Sequence, residues 1–151
     1  RVVRLSSAAR GEEQSARIRR LTAGWRVGSV MTPRPITMPA DLTISEFVDR
    51  IGSTVRVASF PLLERDGQVS GLVTLGLIRH VPRGRWDTTA LREIAVPLSS
   101  IATAEPSESI ADVLGRLGAD GRVLVFDQGS LIGIVSPSDI VRLVEHLDVV
   151  R

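Results

Sequence analysis

Cysteine is absent from this chain of 151 residues, which excludes disulfide bonds, thiolate zinc sites and cysteine nucleophiles. Histidine is scarce, because only His80 and His146 are present. Neither a histidine-rich metal site nor the HExxH zinc motif can therefore form. No apolar run approaches the roughly 20 residues needed to span a bilayer. The sequence starts with arginine and shows no signal peptide, so we expect it to be a piece of a longer chain.

Lysine is missing as well, since all 19 basic residues are arginine, and the formal net charge is +2. Residues 1–34 hold eight arginines and two glutamates, a net charge of +6, whereas residues 35–151 have a net charge of −4. A nucleic-acid binder needs a basic face on its folded domain, so we expect no nucleic-acid partner. A basic leader before an acidic domain fits a tail, a linker or a segment that lies on anionic lipid.

One pattern occurs twice between residues 27 and 148. In the first copy, residues 41–51 predict an amphipathic helix with apolar residues at i, i+3, i+4 and i+7, and Thr43 with Glu46 form a capping box. A strand, a turn and a second strand follow over 59–73, and then a helix over 74–80. The second copy matches at an offset of 66 through its first helix, and at 62 from its strands onward.

This repetition predicts four segments, which are a basic helical leader at 1–26, a first unit at 27–81, a linker at 82–93 and a second unit at 94–148. Each unit is too small to bury both helix faces alone, so we expect the two to pack on each other as a pseudo-symmetric pair. We also expect the leader helix to end at Gly24. The residues predicted to be buried are Val30, Ile44, Phe47, Val48, Ile51, Ile110, Val113, Leu114 and Leu117, and Trp25 and Trp86 are predicted to pack on the folded part.

The second copy ends with the motif Gly-Ile-Val-Ser-Pro-Ser-Asp over 133–139. Ser136, Pro137 and Asp139 make a good helix start without any ligand. The N-terminus of the same helix also favours a bound anion, so a capping role and a ligand role are both open. Arg142 is better explained by an ion pair with Asp139 than by a phosphate contact. No spacing suggests a serine, histidine and aspartate triad, so we expect no enzyme activity in this chain.

The doubled pattern resembles a pair of CBS domains, also called a Bateman module. The resemblance rests on the entry motif Val-Met-Thr-Pro at 30–33 and on the exit motif, complete at 133–139, with Leu77 in place of the acid in the first copy. It implies an α/β (α+β) fold of two β-α-β-β-α units with pseudo-two-fold symmetry, a regulatory role, and an adenine nucleotide ligand such as ATP, ADP, AMP or S-adenosylmethionine. We expect no metal site and no required cofactor.

The resemblance also implies which residues hold the ligand. Asp139 would take the ribose diol, and Ser136 a phosphate or ribose oxygen. The backbone of Ile101, Ala102 and Thr103 would line the adenine edge, with Val123 as an apolar wall. A second site would use Thr37 and Thr74 of the first copy, and Leu77 weakens that prediction because it lacks an acceptor.

The basic leader and the Trp-Asp-Thr-Thr linker at 86–89 are similar to the cytoplasmic C-terminal part of site-2-protease-like membrane zinc metalloproteases. This second resemblance implies an upstream peptidase domain and a location on the cytoplasmic side of a membrane. The alternative is a structural dimerisation module that binds no ligand. In either case we expect a homodimer through the helices at 43–52, 74–81, 109–118 and 137–147, since uncovered apolar faces usually mark interfaces.

Overall fold

The computed structural model describes residues 11, 13, 16, 17, 19–53, 56–118 and 120–150. They form two compact units. The central unit is Arg34–Ile101, and the terminal unit combines Arg1–Pro33 with Ala102–Arg151. Each unit contains one four-stranded sheet and short helices, which confirms the predicted mixture of α and β structure.

The helices are α1 Val27–Val30, α2 Ile44–Ile51, α3 Leu75–Arg79, α4 Leu91–Ile94, α5 Ile110–Leu114 and α6 Pro137–Val150. The strands are β1 Thr32–Pro33, β2 Met38–Pro39, β3 Ser59–Leu63, β4 Val69–Thr74, β5 Val96–Pro97, β6 Ala102–Ala104, β7 Val123–Asp127 and β8 Ser130–Val135. Short 3-10 turns lie at Arg83–Arg85 and Leu98–Ser100. In the described part of the chain, no helix is both long and apolar enough to cross a membrane.

The two sheets have the same strand arrangement. The central sheet runs β2-β3-β4-β5 and the terminal sheet runs β6-β7-β8-β1. In each sheet the first pair is parallel and the other two pairs are antiparallel. The repeat in the sequence is therefore a repeat of topology.

The strand that enters each repeat does not pair within that repeat. β1 belongs to the entry of the first repeat, yet it pairs with β8 of the second, opposite Ile134 and Gly133. β5 pairs in the same way with β4, opposite Leu72 and Gly71. The compact units group the chain by contacts, because β1 and β5 each pair with a strand of the other repeat. The segments at 27–81 and 94–148 describe the repeats in sequence, and their bounds stay a prediction.

The helices follow the sequence closely in the first repeat and less closely in the second. Both hydrogen bonds of the predicted capping box are present, with Thr43 Oγ1 accepting from the Glu46 amide at 3.1 Å and the Glu46 carboxylate accepting from the Thr43 amide. The helix predicted at 109–118 is shorter, because α5 ends at Leu114 with Gly115 as its C-cap. The helix predicted at 137–147 is longer, because α6 continues to Val150. The described residues between 11 and 21 are helical, and Gly24 follows at a φ of +88°. The part of the leader prediction that concerns residues 1–10 lies outside the described residues.

Each unit has its own hydrophobic core. In the central unit Phe47 and Phe60 meet edge to face, with ring centroids 5.0 Å apart. Of the residues predicted to be buried, four are fully inaccessible: Ile44, Phe47, Ile110 and Val113. The others are half-buried and pack against one of the two cores: Val30, Val48, Ile51, Leu114 and Leu117. Trp25 packs on the terminal core and Trp86 on the central core, as predicted.

Candidate ligand site at the start of α6

Asp139 lies in the first turn of α6 and is only 3% exposed. A buried carboxylate is costly unless donors surround it. Its Oδ2 accepts from the Ser136 amide at 2.7 Å and from the Ser136 hydroxyl at 2.9 Å. Its Oδ1 accepts from the Thr32 hydroxyl at 2.7 Å and from the Arg142 guanidinium. Four donors therefore stabilise the charge of this side chain.

This network shows the capping role that the Ser-Pro-Ser-Asp motif predicts. The carboxylate of Asp139 reaches back to the amide of Ser136, which would otherwise lack a partner at the helix start. Arg142 makes the predicted ion pair three residues on. The ligand role of Asp139 and Ser136 stays a prediction. Because four donors already fill the acceptor positions of the two carboxylate oxygens, a ligand at Asp139 has to replace at least one of the present donors.

The strands beside α6 carry other predicted site residues. Ala102 on β6 is opposite Val123 on β7, and Val123 is opposite Val135, the residue before Ser136. The predicted site residues Ala102, Val123 and Ser136 therefore lie at the same end of the terminal sheet. Val123 is fully buried in the core, while Thr103 is exposed. Ile101 is the last residue of the central unit, so it does not share the compact unit of Ala102.

A cavity of about 360 Å³ in the terminal unit opens beside Asp139. Its lining consists of Trp25, Ser29, Val30, Asp139, Arg142, Leu143 and His146. The rings of Trp25 and His146 meet edge to face at 5.6 Å. No local sequence pattern signals this cavity, because it joins segments more than 100 residues apart. The sequence predicts packing for Trp25 and no ligand role for His146.

The corresponding position in the central unit is built differently. Thr74 caps α3, and its Oγ1 accepts from the Leu77 amide at 3.1 Å. Leu77 offers no polar atom where the terminal unit has a carboxylate. Thr37 lines a separate cavity of about 330 Å³ that does not include Thr74, so the prediction of a second site from these two threonines gains no support from their placement.

The Thr37 cavity is lined by two ion pairs. Arg92 pairs with Glu64, and Arg65 pairs with Asp41. The hydrogen bond from Arg92 holds the pKa of Glu64 below its usual value, and Ser70 adds to that effect. Both cations are thus already paired with acids. Across the described residues, this cavity included, no group of three or more acidic or histidine side chains could hold a metal ion.

Two four-stranded α+β units with one shared topology form a tandem repeat. The model of the CBS domain matches residues 27–83 and 91–146, and the chain belongs to this family. CBS domains are regulatory rather than catalytic.

Several known proteins are similar to this chain. A protein named zinc metalloprotease Rip3 from Mycobacterium tuberculosis is 39% identical over 92% of the chain and 36% of its own length. Zinc metalloprotease MJ0392 from Methanocaldococcus jannaschii is 27% identical over 91% of the chain and 38% of its own length. The human 5'-AMP-activated protein kinase subunit gamma-3 is 30% identical over 70% of the chain and 23% of its own length. The chain therefore spans little more than a third of the metalloprotease relatives.

The solved structures support the fold. The CBS domain of a bacterial CNNM/CorC family Mg²⁺ transporter superposes with a TM-score of 0.68 at 15% identity, covering 88% of this chain and 82% of that one. The predicted resemblance to CBS-domain pairs is confirmed. The predicted similarity to zinc metalloproteases is confirmed in the same region of the chain.

Proposed function

We propose that this chain is a regulatory CBS pair that binds one adenine nucleotide per chain at Asp139 and thereby controls an attached domain. The observation that carries the proposal is the difference between the two repeats at one position. The terminal unit has a carboxylate in the first turn of α6, and the central unit has Leu77 at the same place in α3. A ribose diol can donate two hydrogen bonds to Asp139 and none to Leu77.

The surroundings of Asp139 suit the rest of a nucleotide. α6 is 14 residues long, and the N-terminus of such a helix favours an anion such as a phosphate. Ser136 supplies a hydroxyl beside the carboxylate. The similarity to a subunit of an AMP-activated kinase supports the adenine class of ligand.

The attached domain that we propose is a membrane-embedded zinc metalloprotease, with this chain on the cytoplasmic side. The support is the similarity to two proteins named zinc metalloproteases, both of which extend well beyond the matched region. A ligand can control such a domain only if it binds two conformations of the CBS pair with different affinity.

The test of this site is Asp139→Asn. The substitution keeps the shape of the side chain but removes the charge and one acceptor, so we expect nucleotide affinity to fall by about tenfold or more. Calorimetry with ATP, AMP and S-adenosylmethionine in turn would measure it, and wild-type protein should bind one molecule per chain. The asparagine NH2 group would face the hydrogen-bond donors of Thr32 or Ser136, and this contact should lower the melting temperature. Titrations must therefore be made well below the melting temperature of the variant.

Asp148→Asn is the matched control, because Asp148 is exposed on the same helix and should leave binding unchanged. Unchanged affinity in Asp139→Asn would contradict the proposal and leave Asp139 as a helix cap only. Two nucleotides bound per chain would show that Leu77 does not prevent a second site.

The second candidate is a dimerisation module without a ligand. The exposed apolar side chains on α6 favour it, since Val141 is 56% and Val149 is 81% accessible. In that case calorimetry would detect no binding of any adenine compound. Light scattering at a protein concentration of tens of micromolar would still give the mass of a dimer.

The basic leader predicts a further interaction. Its net charge of +6 over residues 1–34 should give weak, salt-sensitive binding to vesicles containing phosphatidylserine, at about 1 kcal/mol for each arginine near the surface. Vesicles of phosphatidylcholine alone serve as the neutral control. Removing residues 1–24 should abolish the binding, and equal sedimentation of the shortened chain with anionic vesicles would exclude a membrane role for the leader.

A further inference from the structure

We propose that Thr32 occupies the Asp139 carboxylate in the ligand-free chain, and that a bound ligand displaces its hydroxyl and loosens β1 from β8. This inference rests on the proposed function, and it names the residue that couples the site to the rest of the chain. It makes Thr32 a regulator of ligand affinity.

The two oxygens of Asp139 have different kinds of partner. Oδ2 is held by the amide and hydroxyl of Ser136, three residues earlier on the same segment. Oδ1 is held by Thr32, 107 residues away in sequence, and by the guanidinium of Arg142, whose side chain is 65% exposed. The bonds to Ser136 form part of the helix start. The donors on Oδ1 are the ones that a ribose hydroxyl can replace without disturbing α6.

β1 depends on this hydrogen bond more than a longer strand would. It has two residues, and one of them is Pro33, which has no amide to donate to the sheet. The preceding helix α1 is tied separately, because the amides of Val27 and Gly28 donate to the carbonyls of Glu108 and Pro106. The movement we infer therefore starts after α1. Pro33 is the last residue of the terminal unit before the chain continues into the central unit.

The central unit shows what this position looks like without an acid. Thr32 is opposite Ile134 in the terminal sheet, and Val96 takes the equivalent position opposite Leu72 in the central sheet. The terminal unit thus combines threonine at the entry strand with aspartate on the helix. The central unit combines Val96 with Leu77. Both polar partners are present in one unit and both are replaced by apolar residues in the other, which indicates that the threonine is there for the carboxylate and not for the strand.

Thr32→Val in the 151-residue chain tests the inference. Valine keeps the branched shape and is already the residue at the equivalent position 96, so the variant should fold. In the ligand-free protein Asp139 loses one donor, while in the bound protein the ribose replaces it. We therefore expect ATP to bind about tenfold more tightly to Thr32→Val than to wild type.

Two further variants serve as controls. Thr32→Ser retains the hydroxyl and should keep the wild-type affinity. Val96→Thr creates the hydroxyl in the unit where Leu77 offers no acceptor, and it should leave the affinity unchanged. Hydrogen exchange adds a second readout, because ATP should accelerate exchange in the peptide containing β1. The Thr32→Val variant should show that faster exchange without ATP.

The outcomes separate this inference from the proposed function. If wild-type protein binds ATP and Thr32→Val binds it equally or more weakly, the displacement of Thr32 is wrong and the ligand site stands. Slower exchange of β1 on ATP binding would overturn it in the same way. If wild-type protein gives no heat with ATP, AMP or S-adenosylmethionine, the proposed function fails, and the displacement fails with it.

Discussion

Phe47→Ala is expected to destabilise the central unit by about 4 kcal/mol, in the range typical of buried phenylalanines. Phe47 lies on the apolar face of α2, is fully buried, and meets the ring of Phe60 edge to face at 5.0 Å. Alanine would leave a cavity and also remove the aromatic contact, which is worth about 1 kcal/mol beyond the buried area. The matching position in the terminal unit is Val113, where alanine should cost only about 2 kcal/mol because fewer buried groups are lost.

The two tryptophans make this prediction measurable by unit. Trp86 packs on the same core as Phe47, and Trp25 packs on the core that contains Val113. In a Trp25→Phe background only Trp86 reports on unfolding. Urea unfolding followed by its fluorescence should therefore show a lower midpoint urea concentration for Phe47→Ala. Arg50→Ala, on the exposed face of α2, should change stability by less than about 0.5 kcal/mol. A loss below about 1 kcal/mol for Phe47→Ala would contradict the packing described for the central core.

Much of the fold was predictable, because its signals are local. The spacing of Ile44, Phe47 and Ile51 fixes the buried face of α2, and the capping box fixes its start. The resemblance between the repeats extended those predictions to the second copy. α5 is shorter than its counterpart because Gly115 ends it, and the glycine lies where the first repeat continues its helix with Asp49.

The entry strands were not predictable in the same way. β1 and β5 have two residues each, and each contains a proline, so neither shows the alternation that identifies a strand. Their partners β8 and β4 lie far along the chain, and only the fold brings them together.

The hydrogen bond between Asp139 and Thr32 was not predictable either, because the two residues are far apart in sequence. The sequence suggested a cap or a ligand for its carboxylate, and the structure adds Thr32 from an entry strand 107 residues away. The internal repeat did contain a signal, since Thr32 and Asp139 are replaced together by Val96 and Leu77.

Each entry strand lies against one of two equivalent glycines in its sheet. Gly71 is opposite Pro97 on β5, and Gly133 is opposite Pro33 on β1. A β-carbon on Gly71 would lie 2.5 Å from the backbone carbonyl oxygen of Val96, whereas one on Gly133 would meet the side chain of Met31. A backbone oxygen can move only if β5 moves with it, but a methionine side chain can adopt another rotamer.

We therefore expect Gly71→Ala to cost about 3 kcal/mol and Gly133→Ala about 1 kcal/mol, at the two ends of the usual range for overpacking. Urea unfolding of the two variants gives the comparison. In a double-mutant cycle, Gly133→Ala should cost less in a Met31→Ala background than in wild type, because the new methyl group then has no sulfur or Cγ in its way. No side-chain substitution at Val96 should rescue Gly71→Ala, since the obstacle there is the main chain. Equal losses for the two glycine variants would show that both entry strands yield to a methyl group, and that β5 is no more tightly joined to its sheet than β1.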